Sequence, residues 1–143
     1  MKKNLFVSSI DKRIVKSKVH NLVGCLQKEL NFSVVSLFIN FINSEEIHKI
    51  NKRYLNHDFS TDIITFNYSG SNSDFDGEVF ISVDDARLST KKYKTTFSNE
   101  LSRLIIHGML HLKGFNDIKR SDKLKMKRME DYLTMKYNFS LLG

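Results

Sequence analysis

The segment HGMLHLKGFND, residues 107–117, carries the side chains with the clearest chemical potential. His107 and His111 are four residues apart, a spacing that stacks two side chains on one face of a helix. Gly114 lets a helix end in a left-handed turn, after which Asp117 can return a carboxylate toward the imidazoles. Three such ligands with one position left for water are typical of a catalytic zinc site. The segment therefore predicts a zinc site made by His107, His111 and Asp117.

Two other interpretations of this segment remain open. A pair of histidines at this spacing also occurs on solvated helix faces, without a metal. The spacing also matches the ligands of a class of metalloproteases, but those enzymes need a glutamate general base directly after the first histidine. Gly108 occupies that position, which argues against peptide hydrolysis.

The rest of the chain predicts the elements that must position this segment. Hydrophobic periodicity and turn residues give the order β-α-β-α-β-β-α-α-α. The strands are predicted at 4–9, 33–42, 63–68 and 78–83, and the helices at 11–30, 44–55, 84–93, 98–113 and 121–137. This order predicts an α+β (α/β) fold: a single domain over residues 1–143, in which about five helices pack on a mixed sheet of about four strands. The metal site would lie on the fourth helix and its following turn.

Composition narrows the class of protein. The net charge of +7 is suggestive of a polyanionic partner such as nucleic acid, although proteins rich in lysine are also basic without one. The single cysteine, Cys25, excludes a disulfide within the chain. We expect no signal peptide and no membrane span, and hence a cytoplasmic protein. Proline is absent, so turns depend on Gly, Asn, Asp and Ser.

The histidine segment resembles HGxLHLxGYDH, the signature of the YbeY family of bacterial zinc-dependent endoribonucleases and rRNA maturation factors. INKRYLNHDFSTDIITF (50–66) is similar to the family's LNxxYRxxDxPTDVLSF, and GEVFISVDDAR (77–87) to its GDIxIS strand and following helix. The resemblance spans residues 35 to 135. It implies one Zn²⁺ per chain, single-stranded rRNA as substrate, 16S rRNA 3′-end maturation and ribosome quality control, and partners on the small ribosomal subunit and among assembly factors.

The chain departs from the family pattern at four positions. Asp117 replaces the usual third histidine and should leave a bound metal a weaker Lewis acid. Asn116 replaces an aspartate and is a backup ligand, and Ser60 replaces a proline. Leu55 replaces an arginine associated with substrate or catalysis, so an arginine-assisted mechanism needs Arg53 or another cation.

The resemblance implies that His107, His111 and Asp117 act through a metal-bound water that attacks a phosphodiester. Asp58 or Asp62 is a candidate to orient the water or the RNA, although turn chemistry is the somewhat better explanation of these loop residues. The candidates for contacts with substrate share a polar or basic side chain: Arg53, His57, Thr61 and Lys113.

Two basic segments, 2–18 and 119–128, each hold six Lys or Arg and one Asp. They are predicted to guide RNA through phosphate contacts, or else to be solvated helix faces. Tyr68 and Phe75 are candidates for stacking on bases, with Phe75 exposed, whereas Phe115 is assigned to the core.

Two hypotheses compete with the nuclease. The first is a non-catalytic, ribosome-associated assembly factor with a mainly structural zinc, which Leu55 favours. The second is a metallohydrolase of another substrate, which Gly108 disfavours.

Overall fold

A computed structural model of the protein describes residues 4–57 and 61–143. Within these ranges the chain forms four strands and five helices. In chain order they are β1 (Leu5–Ser9), α1 (Lys16–Leu30), β2 (Ser33–Ile42), α2 (Ser44–Leu55), β3 (Ile63–Asn67), β4 (Asp74–Ser82), α3 (Val83–Tyr93), α4 (Phe97–Lys113) and α5 (Arg120–Lys136). The predicted order and fold class are confirmed.

The four strands make one mixed sheet in the order β1-β2-β4-β3. β1, β2 and β4 are parallel, and β3 runs antiparallel to β4. Successive residues of a strand point to opposite faces. Thus Leu37, Ile39 and Phe41 of β2 are buried in the main core, against which α1 and α4 pack.

The α2 helix contacts β3 and β4, and it buries Ile47. Ile64 of β3 is also buried but lies outside the main core cluster, because its neighbour Ile63 points toward α4. The described residues that follow α2 and precede β3, 56–57 and 61–62, are therefore joined to elements that pack on each other.

The α4 helix is held at both ends and along its length. The Thr96 side chain accepts a hydrogen bond from the Asn99 N–H at the N-terminus, and Gly114 ends the helix with φ of 108°. Midway, a Cβ at Gly108 would lie 3.3 Å from atoms of both Ile63 and Val79. The missing side chain therefore lets α4 pack closely on the sheet, next to His107.

Three predicted element boundaries are wrong. The first helix begins at Lys16 rather than Asp11, because the Asp11 carboxylate accepts the Arg13 N–H and holds a turn. β4 begins at Asp74, four residues earlier than predicted, because residues 74–77 pair with β2. The sequence predicts Asp84 or Asp85 as the N-cap of α3, but the N-cap is Ser82, whose hydroxyl accepts from the Asp85 N–H.

Several side-chain predictions are also wrong. Phe75 is fully buried and stacks on Phe32 with a 4.0 Å centroid separation, so it is not an exposed base-stacking residue. His20 is buried rather than on the surface. The helical spacing of apolar residues in 121–137 predicts that Leu124 and Tyr132 face inward, but both are about half exposed. No helix in the described ranges is long and apolar enough to cross a membrane.

Candidate metal centre

The fourth helix presents a stripe of three polar side chains at intervals of four residues: Arg103, His107 and His111. The Nε2 atoms of the two histidines are 3.1 Å apart, and their rings are nearly perpendicular, at 76°. Beyond Gly114 the chain turns back and brings up Asp117. One ligand atom from each of His107, His111 and Asp117 lies within 4.8 Å of the others. The three residues predicted as ligands are thus together; their binding of a metal stays a prediction.

The geometry of this cluster fits a small divalent cation. Two imidazole nitrogens at ~2.05 Å from a tetrahedral zinc are about 3.3 Å apart. The observed Nε2–Nε2 distance of 3.1 Å is close to that value. Two imidazoles and one carboxylate are a donor set that zinc accepts. Both histidines are half-buried and Asp117 is exposed, so the cluster lies at the surface and opens to solvent.

Behind His107 lies a second group of charged residues that the sequence analysis missed. The Nδ1 atom of His107 is 2.9 Å from Oε2 of Glu130 on α5. The guanidinium of Arg103 donates to Oε1 of the same Glu130, at 3.0 Å, and to Asp131, at 2.8 Å. Glu130 is buried. Glu130 faces inward with Met126 and Leu133, a pattern that marks it as a charged residue with a partner.

The two histidines differ electrostatically. Burial opposes protonation of His107, but the hydrogen bond and charge of Glu130 outweigh it and raise the pKa of His107. Burial and then the charge of His107 lower the pKa of His111. A neutral His111 suits metal ligation, since a ligand imidazole must have a free lone pair.

Two cavities flank the histidines. One, of about 600 Å³, is lined on the His107 side by residues that include Asp62, Glu100 and Arg103. Burial raises the pKa values of Asp62 and Glu100, although part of Asp62 remains exposed at the cavity rim. The other, of about 410 Å³, lies on the His111 side. Ile63 lines both, so the two cavities adjoin at this residue, with His107 in one lining and His111 in the other.

The predicted substrate residues separate into two groups. His57 and Thr61 line the cavity beside His111, together with Leu55. The Thr61 hydroxyl donates to the Ile63 carbonyl oxygen, which is the role in a turn that the sequence also allows. Arg53 and Lys113 are not among the lining residues of that cavity. The Arg53 guanidinium lies 5.3 Å from the Tyr54 ring centroid, and the Lys113 amine donates to the Asn31 carbonyl oxygen.

Two candidate residues remain, Asp58 and Asn116. Asp58, the candidate for orienting a water or the RNA, lies outside the described residues. Asn116, the backup ligand, uses its side-chain oxygen to accept the N–H of Ile118 and so supports the turn that carries Asp117.

The basic side chains of segments 2–18 and 119–128 differ in their exposure and in their contacts within the protein. In segment 119–128, which follows Asp117, all six basic side chains are exposed, and one of them, Lys127, pairs with Asp131. In the described part of segment 2–18, Arg13 is paired with Asp11 and the Lys18 amine donates to the Leu142 carbonyl oxygen. Segment 119–128 is therefore the better surface for a polyanion.

Comparisons with known proteins identify the family and a similar fold. The sequence profile of the family described as Endoribonuclease YbeY matches residues 2–138. A protein named Endoribonuclease YbeY from Chlorobium phaeobacteroides is 36% identical over 119 residues, which cover 83% of each chain. Another of that name, from Parabacteroides distasonis, is 47% identical over 77 residues, 54% of each chain. The fold matches the solution structure of a Thermotoga maritima protein with a TM-score of 0.62 at 20% identity, covering 94% of this chain and 91% of the other.

Proposed function

Since the chain belongs to the endoribonuclease YbeY family, we propose that it is a zinc-dependent endoribonuclease that cleaves single-stranded ribosomal RNA. Its role would lie in 16S rRNA 3′-end maturation and ribosome quality control. It would act in the cytoplasm with the small ribosomal subunit and assembly factors as partners. The observation that carries the proposal is the convergence of His107, His111 and Asp117 between two cavities.

The residues of the chain have distinct parts in this proposal. His107, His111 and Asp117 would hold the zinc, which supplies Lewis-acid chemistry to a phosphodiester when bound. The two cavities would receive the nucleotides on either side of the bond that is cleaved, because one is lined by His107 and the other by His111. Asp62, at the rim of the larger cavity, is placed to orient a polar group beside His107.

Segment 119–128 would hold the RNA backbone. Its exposed lysines and arginines begin two residues after Asp117, so phosphate contacts there would extend directly from the reacting bond. Such contacts give affinity without sequence specificity. Sequence or shape preference would then depend on the cavities.

A non-catalytic, ribosome-associated assembly factor is the second candidate, and Leu55 favours it. Leu55 lines the cavity beside His111, where the family pattern would place an arginine. Its described lining contains no lysine or arginine, and His57 is the one other titratable base there besides His111. Under this hypothesis the protein would bind RNA and zinc without cleaving RNA.

Metal analysis together with RNA cleavage distinguishes the two candidates. We expect the purified protein to bind one zinc and to cleave a single-stranded oligoribonucleotide. His111→Ala and Asp117→Asn should lose zinc and cleavage together, whereas the matched control His48→Ala, on α2, should retain both. Cleavage by a zinc-free His111→Ala protein would refute the nuclease proposal. Tight binding of zinc and RNA with no cleavage between pH 6 and 9 would support the assembly factor instead.

A further inference from the structure

We infer that Glu130, held by Arg103, is a positioning residue that fixes His107 in the tautomer able to bind the metal through Nε2. The inference rests on the proposed metal centre and concerns how the protein prepares one of its ligands. It follows from three features of the side chains of α4 and α5.

The first feature is the contact between Arg103 and Glu130. A guanidinium has donors and no acceptor, so Oε1 of Glu130 must accept from Arg103 across their 3.0 Å separation. The Arg103 side chain is also fixed by Asp131 at 2.8 Å, and Lys127 in turn pairs with Asp131. Glu130 is thus anchored in a network of charges rather than free to rotate.

The second feature is the contact between Glu130 and His107. A carboxylate paired with a guanidinium is ionised and only accepts hydrogen bonds. Nδ1 of His107, 2.9 Å from Oε2, must therefore donate. In the neutral ring the lone pair is then on Nε2, the atom that lies 3.1 Å from Nε2 of His111. The hydrogen bond thus turns the free lone pair of His107 toward the point shared with the second histidine.

The third feature is the number of acceptors. Both carboxylate oxygens of Glu130 are in use, one for Arg103 and one for His107. A glutamine there would keep only one acceptor oxygen, and the guanidinium would require it. The amide NH₂ would then face Nδ1 of His107 and donate to it. The ring proton would move to Nε2 and occupy the position that a metal needs.

Four proteins should therefore differ in zinc affinity in an unusual pattern: the wild type, Glu130→Gln, Arg103→Leu and the double variant. Zinc affinity should fall about 10–100-fold in Glu130→Gln, the range for removal of a partner behind a metal ligand. Arg103→Leu should cause a smaller decrease, because Glu130 still accepts from His107. In the double variant the glutamine can turn its oxygen toward Nδ1, so affinity should partly recover from that of Glu130→Gln.

The test measures zinc affinity by chelator competition, starting from the zinc-loaded full chain. A second measurement is the tautomer of the His107 ring in chelator-treated protein, from nitrogen chemical shifts recorded at a pH high enough for the ring to be neutral, because Glu130 raises the pKa of His107. We expect a proton on Nδ1 in the wild type and on Nε2 in Glu130→Gln. The matched control is Glu29→Gln, a glutamate that also accepts two side-chain hydrogen bonds, from Lys136 and Tyr137, and should bind zinc like the wild type.

Three results would overturn the inference. One is a neutral wild-type His107 ring with its proton on Nε2, a result that requires no variant to fold. Another is a Glu130→Gln protein that binds zinc as tightly as the wild type. The last is a double variant no better than Glu130→Gln, which indicates that the ion pair only stabilises the fold. By contrast, a wild-type protein that binds no zinc would refute the proposed metal centre, while the tautomer measurement would still test the hydrogen bond.

Discussion

Asp11 provides a prediction whose size follows from the structure. Its carboxylate, buried after β1, accepts hydrogen bonds from Arg13 and pairs with Arg87 of α3. The hydrogen bond from the Arg13 side chain lowers the pKa of Asp11 from 3.8 to about 2, although burial opposes the change. Since Arg87 belongs to α3, the interaction ties the loop before α1 to a helix far along the chain. We expect Asp11→Asn to destabilise the fold near neutral pH.

The pKa difference sets the magnitude. A lowering from 3.8 to about 2 corresponds to ~2 kcal/mol of folding free energy. The two arginine side chains are about half exposed, so solvent screening places the expected decrease in stability at ~1–2 kcal/mol. Because the pKa is lower in the folded state, this contribution is complete above pH ~5 and disappears as the pH falls toward 2.

Urea unfolding of the wild type and Asp11→Asn at pH 7 and pH 3 provides the assay. The difference in unfolding free energy should be about half as large at pH 3 as at pH 7. Asp74→Asn, which changes an exposed aspartate at the start of β4, is the matched control and should show little difference at either pH. A difference at pH 7 below ~0.3 kcal/mol, or one that does not shrink at pH 3, would refute the reasoning.

Two further predictions concern packing and charge. Gly77→Ala should lower the free energy of unfolding, measured in urea, by ~1–3 kcal/mol, because the new Cβ would collide with the Phe66 carbonyl oxygen of the neighbouring strand. A variant as stable as the wild type would contradict this packing. Binding of an oligoribonucleotide should weaken with salt, and Lys123→Gln with Lys125→Gln should reduce the slope of log affinity against log salt by ~0.7 for each phosphate that is no longer neutralised. An unchanged slope would show that Lys123 and Lys125 of segment 119–128 do not contact RNA phosphates.

The fold was predictable where local sequence pattern and tertiary environment agree. The bounds of α2 follow from the Asn43 cap, the early glutamates and the apolar spacing, and the structure has the same bounds. The start of β4 was not predictable in this way, because Ser, Asp and Gly before residue 78 are typical of turns. Pairing with β2, more than 30 residues away, makes residues 74–77 extended and buries Phe75.

The candidate site also contains contacts that depend on local sequence and contacts that depend on tertiary packing. His107, His111 and Asp117 lie within eleven residues, so their approach depends only on a helix and the turn that ends it. Glu130 is 23 residues from His107, and its contact requires α5 to pack on α4. The apolar face of α5 is too weak in the sequence to predict that packing: Tyr132, assigned to the inner face, is half exposed.

The three polar side chains of α4, Arg103, His107 and His111, are rotated stepwise around the helix axis as well as spaced along it. Residues four apart on an α-helix are rotated by about 40° about its axis, since each residue turns by about 100°. Arg103 therefore reaches toward Glu130 on α5, His107 lines the larger cavity, and His111 lines the smaller one. One residue inserted between the histidines would swing His111 by a further ~100° and separate the two nitrogens. The number of residues between the histidines is thus itself a requirement of the site, beside the small side chain that close packing requires at Gly108.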